Sequence, residues 1–288
     1  MSPELLRGDP VATPILERAG ERVERLRDEG TVPTLGTVLM SDDPADERFV
    51  ELKHETCAEV GIATRDVRLD PDAPAKRLYR EIERLSGDPG IDAVFVQVPL
   101  PDHVPLSAAR RRLDPAADVD CLHPTNLGRL VAGEPRFVPA TTAAVDRLLS
   151  ASGISVAGAD VVVVGRSSAI GRPLANRLLR DRSGGNATVT VCHSKTADLG
   201  AHTRRADVVV TAAGVPELVD GSMLAPEAVV VDVSANRRPD GTVVGDVDFE
   251  SASERVRAIT PVPGGVGPVT LAALVENVVR AADRSESD

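Results

Sequence analysis

Two periods alternate along the chain. Short β-branched or alternating apolar runs recur at Thr34–Met40, Ile62–Leu69, Ile91–Val98, Val161–Val164, Ala187–Cys192, Asp207–Thr211 and Ala228–Val233. Runs of this length read as strands, and the continuous ones as strands buried on both faces. Between them the apolar residues fall at helical spacing. Ile15, Ala19, Val23 and Leu26 share one helical face, with Thr13 and Pro14 as N-cap and first helical position and Gly30 as the stop. Further helices are predicted from Pro44 to Val60, ended by Gly61, from Ala75 to Leu85 and from Leu106 to Leu113. Thr141 or Thr142 caps a helix through Val145, Leu148 and Leu149, and Leu271, Leu274, Val275 and Val278 line one face of a last helix. Strands and helices alternate in both halves, separated by a less periodic stretch from Pro101 to Pro139. That pattern predicts two α/β domains on largely parallel sheets. The polar tail DRSESD at 283–288 is expected to fray.

The stretch from Val161 to Leu179, VVVVGRSSAIGRPLANRLL, is the one on which chemistry is most legible. A buried-type strand runs into Gly165, and a helix starts near Ala169 or Gly171. Strand, glycine turn and helix N-terminus together present free N–H groups and a positive dipole end to a phosphate. The spacing is G-x-x-x-x-x-G rather than G-x-G-x-x-G, so taken alone it suits an ordinary β–turn–α unit equally well. The end of the next strand narrows the choice of ligand. NAD-binding folds place an Asp or Glu there for the ribose 2′-hydroxyl. Here it reads Cys192-His193-Ser194-Lys195, with no acid, and Arg166 stands in the first turn. Cationic and hydroxyl groups at that locus favour a 2′-phosphate, hence NADP.

Composition removes several classes of function. A net charge of −11 disfavours a nucleic-acid partner, and no apolar window reaches the length of a membrane span. Cys57, Cys121 and Cys192 are odd in number and far apart, which favours a reducing, cytoplasmic setting and no structural metal. Lys53, Lys76 and Lys195 are the only lysines, a bias that follows from a GC-rich genome or from adaptation to salt. Phe49 and Lys53, at i and i+4, share a helix face. They read either as a ring and a proton carrier beside a flat ligand or, more plainly, as a core phenylalanine next to a solvated lysine. Gln97 ends a buried strand, where ligands bind in parallel sheets or where a polar side chain merely caps a loop. Asp118 and Asp120 precede His123, placed either to bind a polar substrate or to cap a turn.

These motifs join into one pattern. VFVQVPLP, DVDCLHPTNLGRL, VVVVGRSSAIGRPLA, ATVTVCHSKT, ADVVVTAAGVP, GDVDF and TPVPGGVGPVT follow one another in this order. The sequence thereby resembles the bifunctional methylenetetrahydrofolate dehydrogenase/methenyltetrahydrofolate cyclohydrolase family over nearly its full length. The resemblance implies a catalytic folate-binding domain at 1–140, rejoined by the C-terminal helix 268–288. It implies a Rossmann-like NADP-binding domain at 141–267, a cleft between the two domains, and a homodimer formed through the second. By motif, Lys53 is the general acid/base, Gln97 the glutamine that contacts it, and Asp120 the carboxylate for the pterin amino edge. Phe49, Pro99, Leu100, Pro263, Gly264 and Gly265 fall at substrate-binding positions; Gly165, Arg166, Ser167, Ser194 and Ala235 fall at the NADP site. The implied activity is oxidation of 5,10-methylenetetrahydrofolate followed by hydrolysis to the 10-formyl product.

The chain departs from the family pattern at named places. The helix tyrosine is Phe49, the serine three residues ahead of it is Asp46, and the glycine of D-V-D-G is Cys121. P-C-T-P is Pro139-Ala140-Thr141-Thr142, and D-V-G-I-N is Asp232-Val233-Ser234-Ala235-Asn236. The change at Phe49 predicts a weakened hydrolytic step. Two other readings stay open on sequence: a regulatory paralogue that binds NADP or folate without turnover, and a dehydrogenase on a different pterin carrier.

Overall fold

The computed structural model describes residues 2–283, so the tail from residue 284 on, expected to fray, lies outside the described residues. In chain order the strands are β1 (Glu4–Leu5), β2 (Thr34–Leu39), β3 (Ala63–Arg68), β4 (Ala93–Val96), β5 (Asp160–Val164), β6 (Thr188–Cys192), β7 (Val208–Thr211), β8 (Val229–Asp232), β9 (Asn236–Arg237), β10 (Val243–Val244) and β11 (Ala258–Ile259). The helices are α1 (Asp9–Asp28), α2 (Pro44–Glu59), α3 (Ala75–Ser86), α4 (Leu106–Ala109), α5 (Pro124–Val131), α6 (Ala140–Ala151), α7 (Gly171–Leu179), α8 (Leu199–Thr203), α9 (Phe249–Ser253) and α10 (Val266–Ala282). They pack as two compact α/β units. One comprises Thr13–Ala140 with the described residues from Leu271 on; the other comprises the described residues up to Ala12 with Thr141–Thr270.

In the first unit a parallel sheet runs in the order β3-β2-β4. The central strand β2 is buried at every position, as a continuous apolar run predicts. Helix α3 buries Leu78, Ile82 and Leu85, while α2 buries Val50, Lys53, Thr56 and Cys57. Asn277 of α10 ties the loop segments of this unit together, donating to Val119 O at 2.8 Å and Val138 O at 2.9 Å.

The second unit holds a six-stranded parallel sheet in the order β1-β11-β8-β7-β5-β6. Its valine-rich centre, β5, β7 and β8, is buried almost throughout. The strand order reverses direction around β5, so the carboxyl ends of β5, β6 and β7 form the crevice in which doubly wound sheets take ligands. Strand β6 is an edge, with Thr188 and Val191 exposed.

Several elements differ from the sequence pattern. Helix α1 begins at Asp9, ahead of Thr13, and Pro14 lies inside it. Leu6 and Ala12 are buried, which anchors this segment, and a proline so early in a helix forfeits a single bond to the carbonyl of Pro10. The helix from Leu106 stops at Ala109 and continues as a 3-10 turn, Arg110–Arg112. Strands β1 and β11, two residues each, and helix α5 carry no period long enough to read. Helix α5 is capped by the ring of His123, whose Nδ1 accepts from Thr125 N at 3.1 Å.

Candidate active site

The first unit gathers its polar chemistry where α2 crosses the end of β4. Asp43 caps α2, accepting from Ala45 N at 2.8 Å, and Pro44 opens its first turn. Helical spacing then sets Asp46, Phe49 and Lys53 along one face. Lys53 is 2% exposed, which overturns the plainer expectation of a solvated lysine. Its Nζ sits 3.3 Å from the centroid of the Phe49 ring, 4.4 Å from that of Phe95 and 3.3 Å from Phe49 O. It donates to Oε1 of Gln97 at 3.4 Å. Gln97 extends the β2–β4 ladder through its own N–H to Val38 O at 2.9 Å and is itself buried. Its Nε2 donates to Asp46 Oδ1 at 2.9 Å and Val98 O at 3.0 Å, and Ser41 Oγ donates to Asp46 Oδ2 at 2.7 Å. Loss of hydration lowers the pKa of Lys53 to about 7, against the opposing charges of Asp120 and Asp46.

The two aspartates ahead of His123 divide the roles that the sequence left open. Asp118 is fully buried and accepts from Leu122 N at 2.9 Å, His123 N at 2.8 Å and Asn126 Nδ2 at 2.8 Å. It is the turn cap. Asp120 accepts from Ala140 N at 3.0 Å, and among the described residues no hydrogen bond is made by its Oδ2. Desolvation pushes its carboxyl up to about 6; Asp118 adds to the shift and Lys53 opposes it. Cys121 holds the left-handed conformation, φ 57°, at the position where the family pattern has glycine. Pro99, exposed, and Leu100, half-buried, follow Gln97.

In the second unit the glycines of the first turn are required by sterics. A Cβ on Gly165, φ 135°, would lie 2.2 Å from Ala212 O, and one on Gly171 would lie 2.2 Å from Gly165 O. Ser167 Oγ accepts from Ile170 N at 3.0 Å, ordering the turn that leads into α7, and Arg166 is exposed. The parallel register pairs Val164 with Cys192, and Gly165 N donates to Cys192 O at 2.9 Å. The turn at Arg166 and the turn carrying Ser194 and Lys195 therefore leave adjacent strands side by side. Ala235 is exposed just beyond β8, and Pro263, Gly264 and Gly265 precede α10. Gly264, φ 97°, accepts through its carbonyl from Gly8 N at 2.8 Å.

Residues 6–120 match the family model of the tetrahydrofolate dehydrogenase/cyclohydrolase catalytic domain, and residues 139–286 match the NAD(P)-binding domain of the same family. The chain belongs to this family. Among relatives, the bifunctional protein FolD of Halobacterium salinarum is 51% identical over 97% of this chain and 96% of its own length. That of Haloquadratum walsbyi is 49% identical over 96% and 90%. The crystal structure of the FolD methylenetetrahydrofolate dehydrogenase/cyclohydrolase from Campylobacter jejuni superposes with a TM-score of 0.91 at 39% identity, covering 98% of this chain and 99% of that one. The Trypanosoma brucei FolD, solved with NADP cofactor and an inhibitor, gives 0.92 at 37% identity with 99% of each chain covered.

Two residues of this family member stand out that the sequence alone did not single out for a role. Asp46 was visible only as a departure from the pattern; its bond to Gln97 spans 51 positions. Asp246, in the GDVDF motif, is fully buried. Its carboxylate takes the N–H groups of Ala213, Gly214 and Val215 after β7, together with Ser234 Oγ and Asn236 Nδ2 after β8. It thereby fixes two of the loops at the carboxyl edge of the sheet. Gly245 beside it is equally constrained, because a Cβ there would collide with the carboxylate of Asp232. Among the described residues no cluster of three or more His, Cys, Asp or Glu could hold a metal ion. No described helix is long and apolar enough to cross a membrane.

Proposed function

We propose that the chain oxidises 5,10-methylenetetrahydrofolate with NADP and hydrolyses the resulting methenyl compound to 10-formyltetrahydrofolate. The observation that carries this reading is Lys53, a buried amine held by Gln97 with a pKa lowered to about 7. At neutral pH such a group is divided about equally between its two forms, so it can take a proton from an attacking water and give one back as the ring opens. A cationic methenyl substrate nearby lowers its pKa further by like-charge repulsion. Gln97 orients the amine without adding charge. Asp120 offers Oδ2 to the amino edge of the pterin while Oδ1 stays bound to Ala140 N. Phe49, Pro99 and Leu100, with Pro263, Gly264 and Gly265, are assigned to substrate. The hydride step depends on positioning more than on acid–base chemistry, so the loss of a hydroxyl at Phe49 weakens hydrolysis and spares oxidation.

The residues at the second unit's carboxyl edge fit NADP. Gly165 and Gly171 place no Cβ at either end of the first turn, the α7 N-terminus supplies N–H groups to a pyrophosphate, and Ser167 retains its O–H to donate. Arg166 with Ser194 suits a 2′-phosphate, and Ala235 borders the same edge. When bound, NADP supplies the acceptor for the hydride equivalent that leaves the substrate carbon. The exposed edge β6 supports a homodimer built by pairing with a second copy. Three free, buried cysteines support a cytoplasmic setting.

The test is the purified protein with 5,10-methylenetetrahydrofolate and NADP, methenyl and formyl products being followed separately. Formation of both supports the proposal. NADP binding without turnover favours the regulatory reading, and turnover only with a modified pterin favours the third.

A further inference from the structure

We infer that Asp46 is a positioning residue for the hydrolytic step: its carboxylate, held by Ser41, fixes the Gln97 amide so that Oε1 is turned toward Lys53 Nζ. The inference rests on the reading of Lys53 as the proton carrier. A primary amide has two orientations related by a flip, and they are opposite in what they offer a lysine. One presents an oxygen that accepts from Nζ. The other presents two N–H donors to a group that, when charged, is itself only a donor.

In this chain the flip is decided on the far side of the amide. Nε2 has two oxygen acceptors, Asp46 Oδ1 at 2.9 Å and Val98 O at 3.0 Å. A flipped amide would set Oε1 against both of these oxygens and its N–H groups against Nζ. A carboxylate accepts only, so it cannot relieve the flipped state, whereas a hydroxyl or carboxamide at the same position could. The carboxylate is in turn held by Ser41 Oγ at 2.7 Å and sits in the first turn of α2, where the helix dipole favours a negative charge. Lys53 thus donates to Gln97 and Gln97 to Asp46, which also accepts from Ser41, so the bonds from both sides converge on the carboxylate.

Asp46 also adds a charge to the surroundings of that amine. On α2, Lys53 is faced by Asp46, His54 and Cys57, with the Phe49 ring over Nζ. It meets Phe95 of β4 and Gln97 just after that strand, and the segment before α5 contributes Asp120. The Cys57 thiol, pushed up to about 12 by burial, stays uncharged through neutrality, and the pKa of His54 is lowered. The opposite charges acting on Lys53 are those of Asp120 and Asp46. Without Asp46, desolvation meets less opposition, and neutral amine persists to lower pH.

The experiment is the pH profile of methenyl hydrolysis by the full-length protein and by Asp46→Asn and Asp46→Ala. Both variants are expected to move the low-pH limb of kcat toward acid by up to about one pH unit. Both variants also release the amide to flip, since the carboxamide of Asp46→Asn can donate to Oε1 and Asp46→Ala offers no acceptor to Nε2. Each should therefore lower the plateau by about three- to tenfold relative to the parent. Titration of Asp120, assigned to substrate binding, is read separately in KM. If Asp46→Ala does not fold, the isosteric Asp46→Asn carries the test through both limb and plateau. A limb and plateau unchanged in the variants overturn the inference. A parent protein that makes no formyl product overturns instead the reading of Lys53 beneath it.

Discussion

Nζ of Lys53 stands 3.3 Å above the centre of the Phe49 ring. The ammonium form is therefore stabilised by the ring face, a contact worth about 0.5–2 kcal/mol. A para hydroxyl would project from the rim of that ring, in its plane, while Nζ sits over the middle. A tyrosine at this position would accordingly act on the water or the substrate rather than on the amine. Phe49→Tyr is expected to raise methenyl hydrolysis, by up to about tenfold for a group that orients without itself exchanging the proton. Hydride transfer should change little. Parallel assays of the two steps check this, and an equal gain in both, or none in hydrolysis, refutes it.

Lys53→Met is expected to abolish the formyl product and to raise stability. The pKa of the folded lysine, about 7, is below its ordinary 10.5. Between these values the unfolded chain binds the proton more readily, so stability rises with pH across that window and the cost of burial is fully present below it. Methionine removes the cost. Thermal unfolding at about pH 6.5 and about pH 9.5 should show the variant's advantage largest at the lower pH. A variant less stable than the parent at both would show that the amine's contacts outweigh its desolvation.

Asp120→Asn separates binding from stability in the same way. The carboxyl is raised from 3.8 to about 6, so the folded chain holds a proton that the unfolded chain releases, and stability falls as pH rises between the two values. The amide keeps an acceptor for Ala140 N and carries no charge, so the variant should be at least as stable above pH 6. Its affinity for the folate should fall about ten- to a hundredfold, the worth of one charge-assisted hydrogen bond. Unchanged KM would remove Asp120 from the substrate site.

Arg166→Ala is expected to weaken NADP binding about ten- to a hundredfold and to leave NAD binding nearly untouched, since only NADP carries the 2′-phosphate. Titration with each dinucleotide checks it. Equal losses would make Arg166 a structural residue of the turn.

The strand–helix alternation was legible because the long elements carry full periods, and the longer strands of the two parallel sheets follow from it. What escaped was short or nonlocal. Strands β1 and β11 have two residues each, too few for any pattern. Helix α5 opens on a histidine cap, outside the usual Ser, Thr, Asp and Asn. The chain's periodicity placed Phe49 and Lys53 on one face of α2 but was silent on what covers that face. Lys53 is covered by Phe95 of β4 and by Gln97 just beyond it, 42 and 44 positions away. The partners of Asp246 are likewise set by how β7 and β8 lie side by side, which no local window reports.

The chain passes between its two units three times, after Ala12, Ala140 and Thr270, each time inside a helix. Neither unit is therefore a continuous piece of the sequence, and this bears on how the protein is made. β1 leaves the ribosome more than two hundred residues ahead of β11, the strand it pairs with. The sheet β3-β2-β4 is complete by Val96, yet Asn277 and the buried face of α10 are made well over a hundred residues later. Co-translational folding thus leaves each unit waiting on a distant segment, and a truncation just before α10 removes Val266–Thr270 from one unit and the segment from Leu271 on from the other.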